Sequence, residues 1–266
     1  MHRVAVVGHP AAHSLTPALY KAAFAELGLG LDWQCDAIDV PAGGLPDFVA
    51  GLGPQWAGLA VTMPHKPAAA DLGRPDQLVQ RLGVANTLVF SDGGPRSYNT
   101  DVAGFVQALA YRRLDDMADA VLLGAGATAQ AALMALDHLG VGAITAQVRD
   151  TSRAGALLAL AGDLGVNLCI EPLGTHHETD MVISTLPGDA ADQWCDSAVA
   201  MAQAVFDASY NPWPTPLTVA AVEAGRPVVT GLDLLAGQAI FQMDLILGDS
   251  VDFETLYRAG KQQLAR

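Results

Sequence analysis

The chain has 266 residues, enough for one large domain or two ordinary ones, and 51% of them are hydrophobic, which supplies a globular core and excludes wholesale disorder. A formal net charge of -14 argues against nucleic acid and anionic membrane as partners, because both select basic surfaces, so any anionic substrate must be held by local groups. Cys35, Cys169 and Cys195 are far apart and form no Cys-x-x-Cys pair, which excludes a disulfide framework or zinc ribbon and points to a reducing compartment.

Taken in chain order, Arg3 to Val7 reads as a first buried strand, since its apolar run is too short for a signal peptide and meets Gly8 and Pro10 at once. A helix over Pro17 to Leu27, a strand over Leu31 to Ile38, a helix near Gly44 to Ala50 and a strand over Gly58 to Thr62 follow, the alternation of an α/β fold. Asn86 to Phe90 and Pro95 to Tyr98 flank the turn Ser91-Asp92-Gly93-Gly94 as two strands, and a helix runs from Val102 to Tyr111. The polar stretch Arg112 to Asp119 reads as an inter-domain crossing. Beyond it lie strands at Asp119 to Leu123, Ala143 to Val148, Asn167 to Ile170, Met181 to Ser184, Ala204 to Asp207 and Pro227 to Val229, a helix from Gln130 to Leu139, and two final helices over Leu232 to Leu247 and Val251 to Leu264. The expected domains are 1-112, rejoined by 232-266, and 113-231. Glycine, proline or charge interrupts every apolar run before it reaches membrane-spanning length, so a soluble, cytoplasmic protein is expected.

The densest chemical signal is Gly124-Ala125-Gly126-Ala127-Thr128-Ala129, set between a strand and a helix. Gly124 permits the tight turn, Gly126 lets the backbone approach a pyrophosphate, and Ala129 allows close packing of helix on strand, with the helix N-terminus facing the phosphates. The next strand ends in Arg149-Asp150-Thr151-Ser152-Arg153, where such folds read the ribose. An acidic residue there bonds the 2′-hydroxyl of NAD, and arginine accommodates the 2′-phosphate of NADP. Arg149 and Arg153 favour NADP, while Asp150 keeps NAD as the other candidate unless it turns away to cap the helix starting at Thr151.

In His13-Ser14-Leu15-Thr16-Pro17, Thr16 is expected as N-cap with Pro17 at the first helical position, and the two hydroxyls of Ser14 and Thr16 form a cradle for a carboxylate. Lysine occurs only at 21, 66 and 261, and Lys66 alone follows an apolar strand, in Val61-Thr62-Met63-Pro64-His65-Lys66. A solvated lysine at a loop tip is one account of it; a partly desolvated ammonium, tuned for general acid/base work, is the other. Asn99-Thr100-Asp101 precedes a helix and could simply cap it, yet a carboxylate at Asp101 is the natural partner for Lys66. Asn86 and Gln238 are uninformative alone. The seven histidines show no metal-ligand spacing, so no metal is expected, and neither a Gly-x-Ser-x-Gly elbow nor a Walker loop occurs.

In order and spacing, these motifs resemble the shikimate dehydrogenase family over essentially the whole chain, together with Ala85-Asn86-Thr87-Leu88, Ser184-Thr185-Leu186-Pro187, the run from Asp207 to Leu217 and the run from Gly231 to Ala239. The resemblance implies a two-domain α/β enzyme with an N-terminal substrate domain, a Rossmann-type NADP domain and C-terminal helices returning to the first. It also implies reduction of 3-dehydroshikimate to shikimate in aromatic amino acid biosynthesis. Lys66 and Asp101 match the family's catalytic pair. Ser14 and Thr16 match its carboxylate-binding hydroxyls; Thr62, Asn86, Tyr210 and Gln238 match residues around the substrate ring; Gly231 matches a backbone contact near the nicotinamide. The chain departs from the family pattern in having Thr16 for a serine, Gly126-Ala127-Thr128 for a double glycine, and Val148-Arg149-Asp150 for Asn-Arg-Thr. Asp150 resembles the acid of NAD-dependent quinate/shikimate dehydrogenases, the runner-up, and a non-catalytic nucleotide-binding sensor of the same fold is the other alternative. Either monomer or homodimer is compatible with the chain.

Overall fold

The computed structural model describes residues 1–265, apart from the side chains of residues 188 and 189. They form two compact units, one comprising 1–100 with 235–265 and the other 101–234.

In the first unit the chain runs through β1 (His2–Gly8), α1 (Thr16–Glu26), β2 (Trp33–Asp39), α2 (Leu45–Ala50), β3 (Trp56–Val61), α3 (Lys66–Leu72), β4 (Arg74–Pro75), α4 (Gln77–Leu82), β5 (Thr87–Val89) and β6 (Arg96–Tyr98). The strands make one mixed sheet in the order β2-β1-β3-β5-β6-β4. β1 lies parallel to β2 and β3, whereas β5 is antiparallel to both β3 and β6. Ala5, Val7, Leu59, Val61 and Leu88 of the sheet are sealed by Leu45, Ala69 and Val79 of the short helices, which explains the near-continuous apolar reading of the central strands. The helices α3 and α4 were not anticipated. At seven and six residues they are too short for a 3.6-residue period to register, and they hold by packing rather than by propensity.

The second unit begins with α5 (Asp101–Arg112), then β7 (Asp119–Leu123), α6 (Ala127–His138), β8 (Ala143–Val148), a 3-10 turn at Thr151–Ala154, α7 (Gly155–Leu164), β9 (Leu168–Pro172), β10 (Thr179–Ser184), α8 (Gly188–Ala191), a second 3-10 turn at Asp192–Trp194, α9 (Cys195–Met201), β11 (Ala202–Asp207), α10 (Pro216–Glu223) and β12 (Val228–Thr230). All six strands are parallel, in the order β12-β11-β10-β7-β8-β9. This is the doubly wound arrangement, and its strand order reverses between β7 and β10. α11 (Gly231–Leu247) starts in this unit and its later turns belong to the first, where α12 (Phe253–Leu264) packs on α1.

The unit boundary falls at Thr100/Asp101 rather than within the polar stretch Arg112 to Asp119. The cause is the packing of α5: it lies on α6, the Phe105 ring meets the Phe206 ring at 4.9 Å between centroids, and Arg112 places Nε and Nη2 each 2.8 Å from the buried Asp233 carboxylate.

Candidate active site

In the first unit, the turns that follow β1 and β3 carry most of the expected substrate residues. β1 ends at Gly8, where a Cβ would collide with the Thr62 methyl, so only glycine lets the two turns lie side by side. The His9 amide donates to the Met63 carbonyl at 3.0 Å and the Thr62 amide to the Val7 carbonyl at 2.9 Å, fixing one turn against the other. Thr16 is the first helical residue of α1 rather than its N-cap; Leu15 occupies the cap and no side chain closes it. The Thr16 hydroxyl instead accepts from Ser14 Oγ at 3.2 Å, and Ser14 Oγ accepts from the Thr16 amide at 3.3 Å. Two hydroxyls are thereby paired at the head of an eleven-residue helix, where its dipole favours an anion.

Lys66 sits not at a loop tip but at the head of α3, half-buried, with its carbonyl accepting from the Ala85 amide at 2.9 Å. The residue after Ala85 is the buried Asn86. Its side-chain oxygen accepts from the Thr100 amide and from Thr87 Oγ1, both at 2.9 Å, and its Nδ2 donates to Thr100 Oγ1 at 3.0 Å. One amide thus locks the turn immediately before Asp101, a carboxylate only 2% exposed. Gln242, not anticipated, extends this network. It donates to Thr87 Oγ1 at 3.1 Å and accepts at 2.8 Å from Tyr20, whose phenol is pushed well above its ordinary pKa by burial. Gln238 lies one helical turn before it on α11, half-buried. That i,i+4 pairing on a shared face is the signal that could have pointed to Gln242.

In the second unit the glycine turn lies at the strand reversal. Gly124 has φ +112°, donates to the Gln147 carbonyl at 2.9 Å, and stands so near β10 that a Cβ would lie 2.6 Å from Thr185 Oγ1. Gly126 caps α6 without a side-chain bond, and a Cβ there would meet nothing within 4 Å. The turn therefore offers an uncapped helix head beside open space, a cradle that fits a pyrophosphate. α6 starts at Ala127, three residues earlier than expected, so Thr128 and the fully buried Ala129 are helical.

Arg149 and Arg153 are exposed at the end of β8. Between them Asp150 turns back on its own chain, accepting from the Ser152 amide at 3.0 Å and from Ser152 Oγ at 2.6 Å. Those bonds, led by the Ser152 hydroxyl, hold its carboxyl below the usual carboxylate range. The capping alternative is the one realised.

Tyr210 stands on the loop after β11, half-buried, with its phenol pushed up by desolvation. Asp207 organises that loop, accepting from the Ser209 amide at 3.1 Å and from Thr215 Oγ1 at 2.5 Å. Burial pushes the Asp207 carboxyl above its ordinary pKa. Gly231 heads α11, and a Cβ there would come within 2.5 Å of the Ser209 carbonyl oxygen, so the head of the helix touches this loop through backbone alone. Among the described residues no group of three or more histidine, cysteine or acidic side chains could hold a metal, and no helix is long and apolar enough to cross a membrane.

The doubly wound sheet and its uncapped glycine turn define a dinucleotide-binding protein whose other unit presents polar groups for a small anionic ligand. Residues 6–88 match the family described as the shikimate dehydrogenase substrate binding domain. A relative from Afipia carboxidovorans, named shikimate dehydrogenase (NADP(+)), is 36% identical over 91% of this chain and 90% of its own length. The crystal structure of Mycobacterium tuberculosis shikimate dehydrogenase superposes with a TM-score of 0.90 at 36% identity, covering 99% of this chain and 100% of that one. The Thermus thermophilus enzyme in complex with NADP(H) and shikimate gives 0.87 at 30% identity, covering 98% and 99%. The chain belongs to the shikimate dehydrogenase family.

Proposed function

We propose that this chain catalyses the reversible NADPH-dependent reduction of 3-dehydroshikimate to shikimate, a step of aromatic amino acid biosynthesis, as a soluble cytoplasmic enzyme, monomer or homodimer. One observation carries the assignment: a half-buried lysine heads a short helix in the same unit as the paired hydroxyls of Ser14 and Thr16. The relatives' names and the NADP(H)–shikimate complex of the Thermus thermophilus enzyme supply the substrate and cofactor. The first unit takes the substrate and the second the dinucleotide.

NADPH, when bound, supplies the hydride for the carbonyl carbon. Gly124, Ala125, Gly126, Ala127, Thr128 and Ala129 would hold its pyrophosphate, Arg149 and Arg153 its 2′-phosphate, and Gly231 would flank the nicotinamide. The turned-back Asp150 supports NADP over NAD, because its Oδ1 is taken up by the Ser152 amide and hydroxyl rather than offered to a ribose 2′-hydroxyl. Ser14 and Thr16 bind the substrate carboxylate, and Thr62, Asn86, Tyr210 and Gln238 orient the ring. As negative charge develops on the carbonyl oxygen, the Lys66 ammonium donates a proton to it, with Asp101 orienting the amine. In the oxidative direction neutral Lys66 takes the hydroxyl proton.

The test is absorbance at the nicotinamide band on mixing protein, shikimate and NADP. A sensor would bind and produce no reduced cofactor, and a quinate-type enzyme would prefer NAD and oxidise quinate as well. Lys66→Ala is expected to lower kcat by about 10²- to 10⁴-fold with NADP binding intact. Near-wild-type turnover in that variant removes the acid/base assignment.

A further inference from the structure

We infer that His65 is a positioning residue for Lys66, acting through a tether to the Asp39–Val40 dipeptide that also anchors the Gly8–Ala11 turn leading to Ser14 and Thr16; this rests on the catalytic reading of Lys66 given above.

His65 is 2% exposed and occupies the N-cap of α3, the position where serine, threonine or aspartate would ordinarily close the helix. Its ring makes no cap bond. It reaches away from the helix, and Nε2 lies 2.7 Å from the Val40 carbonyl, which can only accept, so the ring carries its proton on Nε2. A seven-residue helix of sequence Lys-Pro-Ala-Ala-Ala-Asp-Leu does not hold its own start, so the direction in which Lys66 leaves the backbone depends on what fixes residue 65.

The other end of the tether is equally specific. The Val40 amide donates to the Gly8 carbonyl at 3.0 Å, Asp39 Oδ1 accepts from the Ala11 amide at 3.1 Å, and Asp39 Oδ2 lies 2.9 Å from His9 Nδ1. Two consecutive residues at the end of β2 thus hold both the turn leading to the carboxylate-binding hydroxyls and the turn leading to the lysine. The separation between anion anchor and proton donor is set there, and proton transfer tolerates little error in that separation.

The decisive pair is His65→Gln and His65→Asn. Glutamine places its amide nitrogen where histidine has Nε2 and keeps the tether. Asparagine is a better helix cap than histidine but too short to reach Val40. His65→Gln is expected to keep kcat within about threefold of wild type, and His65→Asn to lower kcat on the order of ten- to a hundredfold with little change in the KM for shikimate and none in NADP affinity. Asp39→Ala, at the opposite end, is expected to raise that KM several-fold and leave kcat nearly unchanged. If His65→Asn turns over like wild type, or if His65→Gln loses as much as His65→Asn in folding or in kcat, histidine 65 only closes a helix and the inference fails. A dead Lys66→Ala beside an indifferent His65→Asn sinks the tether alone; an active Lys66→Ala sinks the catalytic reading beneath it.

Discussion

The two units hold their functional groups by opposite means. In the first, Asn86, Thr87, Thr100, Gln242 and Tyr20 form a buried net of side-chain hydrogen bonds, which holds the candidate substrate residue Asn86 and, through Gln242, the helix that carries Gln238. In the second, the candidate nucleotide site depends on atoms that are absent: Gly124 in the glycine turn and Gly231 at the head of α11 bring backbone against neighbours where a Cβ would collide, and at Gly126 a Cβ would meet nothing. A ring bearing several hydroxyls is distinguished by groups that point, whereas a pyrophosphate is held by bare amides and a helix dipole. The first unit is therefore broken by removing atoms and the second by adding them.

The largest stability loss is expected from Asn86→Leu, which leaves the buried Thr100 amide and Thr87 hydroxyl without their acceptor, at about 1–3 kcal/mol for each orphaned donor. Urea denaturation reads it, and an unchanged midpoint would break the comparison outright. Gly231→Ala is next. Its methyl would press on the Ser209 and Ala208 carbonyl oxygens and cost about 1–3 kcal/mol, because backbone has to move. Gly124→Ala combines φ +112° with the clash on Thr185, a strain of about 1–3 kcal/mol, and should weaken NADP binding by calorimetry more than it weakens shikimate binding. Equal loss of both ligands would show that the glycine serves the fold and not the cofactor.

Asp207 sharpens the contrast through pH. Burial raises its folded-state pKa, so the folded protein holds that proton more tightly than the unfolded chain does. Its contribution is fully present below the ordinary aspartate pKa and is lost as pH rises through the folded value. The stability of Asp207→Asn relative to wild type should accordingly increase with pH across the acid range. Parallel stability curves for the two proteins would remove burial as the cause.

The second unit was the more legible in sequence. Its strands are short apolar runs punctuated by glycine, and the turn after Leu123 is readable directly as a strand–glycine–helix junction. What escaped there were α8, α9 and α10, helices of four, seven and eight residues, too brief for a periodic signal. In the first unit the candidate residues could be named, but their setting could not. Lys66 follows a strand and precedes proline, which reads as a loop until α3 forms around Ala69 and Ala70 packed on the sheet. Tyr20 and Gln242 are 222 residues apart, and neither has a local pattern that announces the other. His65 was visible only as one letter of a motif; its partner is a backbone carbonyl, which no side-chain spacing encodes.

The smallest expected effect lies where the contrast between the units blurs, at Asp150, a side chain whose direction bears on the proposed choice of cofactor. Its carboxylate is fully solvated, so the bonds from Ser152 compete with water and are worth little to the fold. In the proposed reading their effect falls on selectivity: with Oδ1 taken up by Ser152, the Asp150 carboxylate is held back on its own chain rather than offered to a ribose hydroxyl. Ser152→Ala removes the 2.6 Å hydroxyl bond and leaves only the amide, so the ratio of kcat/KM for NADP over NAD should fall a few-fold through a higher KM for NADP. The Ser152 bonds lower the folded-state pKa of Asp150, so the cap is present above the ordinary aspartate value and is lost only as pH falls through that lower one. In wild type Asp150 should therefore add no pH dependence to the cofactor ratio from neutral pH down to the ordinary carboxylate range, and the change seen there should be that of the 2′-phosphate's own second ionisation, at about pH 6. A ratio that Ser152→Ala leaves untouched would mean that the arginines alone choose the cofactor, and that the nucleotide region is read by no other side chain after all.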